Sequence, residues 1–207
     1  MGAGLRLGRR AARSRGHADR GVALTTPSQT VGPYFAIGLP WTGGPDAVSP
    51  DVPGRIRIHG SVFDGAGERI ADHLIETWQA DPEGRFADLH GYGGPSALAG
   101  FRGFARSGAE TGDGRWEIFT VKPGRVPGPD GSLQAPHIDV SVFARGLLHR
   151  CVTRIYFADE QAANVEDTVL ASIPESRRGT LLARPDEHGY RFDIRLQGEG
   201  ETVFFEL

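Results

Sequence analysis

The sequence predicts an all-β fold: an antiparallel β-sandwich with long loops and one or two short helices. Three observations carry this expectation. The 207 residues include Gly 30 and Pro 14, spread along the chain without repeating, as suits many short strands joined by turns. Several segments alternate apolar and polar side chains with period two, the pattern of strands with one buried face. Only residues 161–172 and 174–183 read as helical, and both stretches are short.

The strands follow in chain order. Ile56, Ile58 and Val62 share one parity, with Arg55, Arg57 and His59 on the other. His73–Gln79 and Arg115–Val121 come next. Ile138, Val140 and Val142 alternate with Asp139 and Ser141, and Ile155 and Phe157 with Arg154 and Tyr156. Phe192, Ile194 and Leu196 alternate with Arg191, Asp193 and Arg195, and a last strand is expected at Glu201–Glu206. Turn signals separate them at Asp64-Gly65, Asp113-Gly114, Lys122-Pro123-Gly124 and Pro129-Asp130-Gly131. The second helix opens at Pro174, with Glu175 in its first turn. Residues 38–53 and 82–113 read as long loops, where function tends to sit on a rigid sandwich. Trp78 and Trp116 are expected in the core, and Cys151 as a buried thiol within a strand.

Residues 1–20 carry six arginines and one acid, Asp19, and are expected to form a flexible tail; a transit-type leader is the alternative. The domain is placed at 21–207. That remainder holds 17 basic against 25 acidic residues, which argues against nucleic acid as a partner. One cysteine excludes an internal disulfide and a cysteine-cluster metal site. Nothing approaches the roughly 20 apolar residues of a membrane span. No apolar run follows the N-terminal arginines, so a cytoplasmic protein is expected.

The chemistry-bearing residues narrow the field. There is no Gly-x-Ser-x-Gly nucleophile elbow and no phosphate-binding loop, and Lys122 is the sole lysine. His137 and Asp139 sit two apart on a strand and so share a face. With His188 as a third ligand, and Arg191 or Arg195 as a co-substrate clamp, they would make the facial triad of an autonomous Fe(II) oxygenase. A β-sandwich binding module without catalysis is the other alternative.

The surroundings of that pair favour a different reading. Thr26-Pro-Ser-Gln-Thr-Val-Gly-Pro-Tyr34, Glu76-Thr-Trp-Gln-Ala-Asp81, Thr120-Val-Lys-Pro-Gly124, Ala135-Pro-His-Ile-Asp139, Phe143-Ala-Arg-Gly146, Thr153-Arg-Ile-Tyr-Phe157 and Tyr190-Arg-Phe-Asp-Ile194 occur in order. So does Gln197-Gly-Glu-Gly-Glu-Thr-Val-Phe-Phe205. From about Thr25 to its end the chain resembles the intradiol ring-cleaving dioxygenases. Within them it is similar to the iron-free α chain of members built from two kinds of subunit.

The resemblance implies the following. Catalytic chains of the family hold ferric iron with two tyrosines and two histidines. One tyrosine follows a Lys-Pro-Gly turn, and the histidines form His-x-His on the next strand. Here the turn continues Arg125-Val126 and the strand reads His137-Ile-Asp139. Val126 and Asp139 thus replace ligands, and His137 is a vestigial ligand position. Of the four tyrosines, only Tyr92 in the Gly-rich loop is a candidate for the remaining ligand. The expectation is no metal and no catalytic residue in this chain, with Fe(III) held by a partner β subunit. The two chains would pair across a pseudo-twofold axis, enclose a shared cavity and build a higher αβ oligomer. This side would supply Thr30, Gly32, Pro33, Tyr34 and Arg145 to the substrate pocket. Arg145 would pair with the carboxylate of protocatechuate, which the assembled enzyme would cleave with O2 to 3-carboxy-cis,cis-muconate. Gly32 and Pro33 would let backbone approach the ring, and Tyr34 would wall it.

Overall fold

The computed structural model describes residues 29–30, 32, 34–87, 96, 98–108, 113–129 and 131–206. Its strands are β1 (Arg55–Phe63), β2 (His73–Trp78), β3 (Phe104–Gly108), β4 (Arg115–Val121), β5 (His137–Ala144), β6 (Cys151–Phe157), β7 (Leu182–Asp186), β8 (Gly189–Arg191) and β9 (Ile194–Arg195). The helices are α1 (Tyr34–Gly38), α2 (Gln161–Glu166), α3 (Thr168–Ser172) and α4 (Glu175–Arg178), with a 3-10 turn at Gly179–Leu181. One sheet runs β3-β2-β5-β6-β7-β8-β1-β4, and β9 pairs with β1. The sheet curls until its end strands meet, where the Glu117 amide on β4 donates to Ser107 Oγ on β3 (3.1 Å).

The alternating parities bury as expected. Ile58 and Val62 of β1, Ile138, Val140 and Val142 of β5, and Ile155 and Phe157 of β6 form one core with Trp116, Ile118 and Ile194. Burying each such side chain contributes about 1.5–3 kcal/mol, so the inward faces hold the curled sheet together. Gly60 is required within this packing: a Cβ there would lie 1.8 Å from the Phe192 carbonyl oxygen.

The sheet is mixed rather than antiparallel throughout. β6–β7, β1–β8 and β1–β9 run parallel. For β6–β7 the cause is the connection: residues 158–181 carry all of α2, α3, α4 and the 3-10 turn, the helical crossover that a parallel pair demands. The expected helix over 161–172 breaks at Asp167, where the backbone is extended and the side-chain Oδ1 caps α3 by accepting from the Leu170 amide (2.8 Å). Glu175 lies in the first turn of α4 as expected, but the helix passes into a 3-10 turn at Gly179.

Other expectations are corrected. Loop 82–113 contains β3, and β7 starts where a helix end was expected. Residues 192–196 yield only the two-residue β9. Glu201–Glu206 is no strand; its one ladder contact is the Phe205–Val152 bridge. Loop 38–53 is anchored, with Ala47 and Val48 fully buried and the Ala47 amide donating to the Phe119 carbonyl (2.8 Å). Trp116 is core, whereas Trp78 is half-buried and stacks on Phe86. Cys151 is half-buried; burial and then the nearby Glu201 charge push its thiol pKa up, so it stays protonated. No helix among the described residues is long and apolar enough to cross a membrane.

Candidate functional site

Strands β5 and β6 carry both regions of interest. Their register pairs His137 with Tyr156, Asp139 with Arg154 and Ser141 with Val152. By strand alternation, these side chains share the face turned away from the main core. His137 and Tyr156 lie at one end of the pair; the hairpin from Arg145 to Arg150 closes the other.

At the first end Arg154, Asp139, Tyr156, Asp167 and the Nδ1 of His137 already have partners within the chain. The Arg154 guanidinium donates to Asp139 Oδ1 (2.8 Å), Gln134 Oε1 (2.7 Å) and, more weakly, Tyr156 Oη (3.5 Å). Tyr156 Oη donates to Asp167 Oδ1 (3.3 Å), and the other Asp167 oxygen accepts from the Ala135 amide (2.7 Å). His137 Nδ1 lies 2.7 Å from the Ala135 carbonyl, which makes Nδ1 the protonated nitrogen. Its ring packs against Tyr156, with centroids 5.7 Å apart. Burial, followed by the Arg154 charge, lowers the His137 pKa and keeps the ring neutral. Burial pushes the Tyr156 phenol up to about 12. Val126 is buried, and its carbonyl accepts from the Gln134 amide (2.9 Å). The turn before it is pinned: the Gly124 amide donates to the Asp81 carbonyl (2.8 Å), and a Cβ on Gly124 would lie 2.3 Å from the Pro82 oxygen.

These residues do not fit a ferric ion. Val126 has no donor atom, and Asp139 is engaged by a guanidinium of permanent charge. The one nearby phenol holds its proton. Arg154 places a positive charge among the groups that would have to receive a cation. Among the described residues no three of His, Cys, Asp and Glu converge on one metal position, so His137, Asp139 and His188 do not form a facial triad. His188 instead sits in the β7–β8 turn beside His59 and Glu187. Arg191 is paired with Asp193 (2.9 Å), and Arg195 lies over the Phe63 ring. Tyr92 falls outside the described residues.

The second end is open. The Thr30 hydroxyl oxygen accepts from the Gly146 amide (3.0 Å), which ties the N-terminal segment to the residue after Arg145. It also accepts weakly from the Gly32 amide (3.5 Å), and Gly32 has φ +68°, a conformation that glycine adopts without strain. Tyr34 is 78% exposed and Ile37 76% exposed, with Leu39 and Trp41 also showing apolar surface. Arg145 is largely exposed and pairs with Asp72 (3.0 Å), a partner its sequence neighbourhood did not reveal. Thr30, Gly32, Tyr34 and Arg145 therefore belong to one surface region; Pro33 is outside the described residues.

The family model described as "Dioxygenase" matches residues 32–198. The α chain of protocatechuate 3,4-dioxygenase from Burkholderia cepacia is 44% identical over 198 residues, covering 88% of this chain and 97% of that one. The chain belongs to the intradiol dioxygenase family. The β chain of the Burkholderia cepacia enzyme is 31% identical over 158 residues, covering 72% of this chain and 66% of its own length. Catechol 1,2-dioxygenase from Acinetobacter sp. ADP1 shares the fold at a TM-score of 0.55, with 18% identity, covering 78% of this chain and 60% of that chain. This intradiol dioxygenase chain is thus more similar to an α chain than to a β chain of the same enzyme. Arg154, which holds Asp139, and Gln134, which accepts from Arg154, were missed from the sequence. The signal was the shared parity of Arg154 with Tyr156, but using it required the β5–β6 register.

Proposed function

We propose that this chain is the α subunit of a protocatechuate 3,4-dioxygenase and completes the substrate pocket of an iron-bearing β subunit. The observation that carries this reading is the greater likeness to the α chain, extending over nearly that chain's whole length. The β5–β6 face supports it, because a guanidinium and an aspartate fill the place of a ligand set. Ring cleavage with O2 to 3-carboxy-cis,cis-muconate, including the ferric chemistry, belongs to the partner. No step runs through a metal on this chain.

What this chain contributes is shape, charge and assembly. Thr30, Gly32 and Tyr34 lie by the β5–β6 hairpin beside Arg145, and Pro33, outside the described residues, is assigned to the pocket with them. Arg145 carries a permanent charge suited to a ring carboxylate, and its exposed pair with Asp72 is weak enough to be exchanged for one. Exposed Tyr34 and Ile37 offer apolar surface that association would bury. The domain is assigned to residues 21–207, residues 1–20 lie outside the described residues, and αβ pairs assemble further.

The test is co-expression with a candidate β chain and measurement of protocatechuate-dependent O2 uptake. Activity and copurification in the pair, with neither chain active alone, is the expected result. A fully active lone chain, or two chains that never associate, would overturn the reading.

A further inference from the structure

We propose that the outward face of the β7–β8 pair binds a phosphate group, free or as the end of a small phosphomonoester, between Arg184 and Arg191. The inference goes beyond the subunit reading and does not rest on it. Phosphate is neither substrate nor product of ring cleavage, and the site lies elsewhere on the sheet.

Its place follows from the strand register. None of Thr30, Gly32, Tyr34 and Arg145, the residues assigned to the shared pocket, lines it. β6 leaves the Arg145 hairpin at Cys151 and ends seven residues later with Phe157, roughly 20 Å away along the strand. β7 runs parallel to β6, with Ala183 beside Phe157. Arg184 follows Ala183 and so lies beyond the far end of β6, with Arg191 across from it on β8.

Arg184 and Arg191 stand directly opposite one another. Side chains so placed share a face, and two like charges there repel. Arg191 is held by Asp193 Oδ2 (2.9 Å and 3.0 Å), whose other oxygen accepts from the Ser61 amide (3.1 Å). Asp186, on the same face of β7 as Arg184, lies 3.1 Å from His59 Nε2 and accepts from the His188 amide (2.8 Å). Among the described residues no acid is paired with Arg184. The two arginines line a cavity of about 240 Å³ together with Arg195, Asp193, Thr180 and Thr202. Arg195 lies over the Phe63 ring and has no acid partner among the described residues either. Three guanidiniums against one carboxylate leave this cavity an excess of positive charge, in a domain whose acids outnumber its bases.

The lining selects the ligand. A phosphate dianion balances the excess, and its oxygens accept from both opposed guanidiniums in charge-assisted bonds. The ion turns mutual repulsion into shared attraction. A carboxylate carries half that charge. The volume falls below the roughly 300–1,000 Å³ of drug-sized ligand sites, so it suits phosphate or a short ester better than a nucleotide. Buried Thr202 accepts from the Arg195 amide (2.9 Å) and keeps its own hydroxyl hydrogen for an oxygen of such an ester.

The test uses the full chain purified alone, so that no partner site is counted, with inorganic phosphate as the probe. Equilibrium dialysis should count one phosphate per chain, and phosphate should raise the midpoint of urea unfolding. Arg184→Ala should weaken binding about tenfold, the loss of one charge-assisted partner. Arg184→Glu should abolish binding and, by making the opposed pair attractive, raise the midpoint in phosphate-free buffer. Arg150→Ala removes an exposed arginine elsewhere and should leave binding unchanged. Sulfate should compete, and benzoate at the same concentration should not. Tighter binding of glycerol 3-phosphate than of phosphate identifies an ester as the ligand, and equal or weaker binding identifies the free ion; both support the site. Equal binding by the unaltered and Arg184→Glu chains means an adventitious ion only and overturns the proposal, as does no binding to the unaltered chain. Binding that vanishes when a β chain copurifies assigns this face to an interface and also overturns it.

Discussion

The two ends of the β5–β6 strand pair have opposite character. Around His137 and Tyr156 the polar groups are buried or half-buried and paired with one another: Arg154 with Asp139 and Gln134, Asp167 with Tyr156, Ala135 and Leu170. Around the hairpin, Arg145 has one exposed partner, and Tyr34 and Ile37 have most of their surface in water. The difference separates stability from function. A region whose polar groups are engaged with one another reports on folding. A region that leaves apolar surface and charge uncommitted is the one a partner or substrate completes.

The contrast can be broken first at its most stable point. Asp167→Ala removes the α3 cap and leaves the Ala135 amide and the Tyr156 hydroxyl buried without an acceptor. It should cost about 3 kcal/mol in urea unfolding. A loss below about 1 kcal/mol would mean that water replaces the carboxylate and that this end is less closed than described. Ile37→Asp attacks the open end. It should weaken association with the β chain about 30-fold, the order of one interface hot spot, and leave the urea midpoint of this chain unchanged. Equal binding would place the interface elsewhere.

Most of the sheet was legible in the sequence, and the exceptions are instructive. The strands with strict alternation, such as Ile56 to Val62 and Ile138 to Val142, bury the faces expected of them. β3 was not legible because Arg106, Ser107 and Gly108 break the apolar pattern; Arg106 is there to pair with Glu76 (2.8 Å). β7 was hidden because Pro185 and its exposed neighbours Arg184 and Asp186 make Leu182–Asp186 look like a loop. Strand direction is not encoded in alternation at all, although the long helical stretch before β7 was a usable sign of a parallel crossover. At the site, the lost ligands were readable one residue at a time at Val126 and Asp139. Their replacement was not: Arg154 reaches Asp139 only across the strand register, and Asp72 reaches Arg145 only through the fold.

Two smaller effects sharpen the comparison. Arg145→Ala in the assembled enzyme should raise the KM for protocatechuate about tenfold with kcat little changed, while stability shifts by less than about 0.5 kcal/mol. If both kinetic constants hold, Arg145 steers nothing. Stability should also respond to acid through two buried histidines, His137 at the closed end and His73 opposite Ala144 at the other. Burial, as the largest cause, lowers the pKa values of His73 and His137 below 6.5. Both are therefore neutral when folded, and below pH 6.5 the unfolded chain binds more protons. Stability should be full above that pH and decline as pH falls from it. His73→Phe, which removes one such group along with its bond to the Ile70 carbonyl (2.7 Å), should flatten the decline. An unaltered slope would assign the acid sensitivity to other groups.

The division between a self-satisfied relic and a partner-completed pocket is tested most directly by metal analysis. Iron would be measured in this chain purified alone and in the chain copurified with its β partner. The account predicts none in the lone chain and one iron per αβ pair. Stoichiometric iron in the lone chain would contradict it, and would require His137, Asp139 and Arg154 to rearrange around a metal.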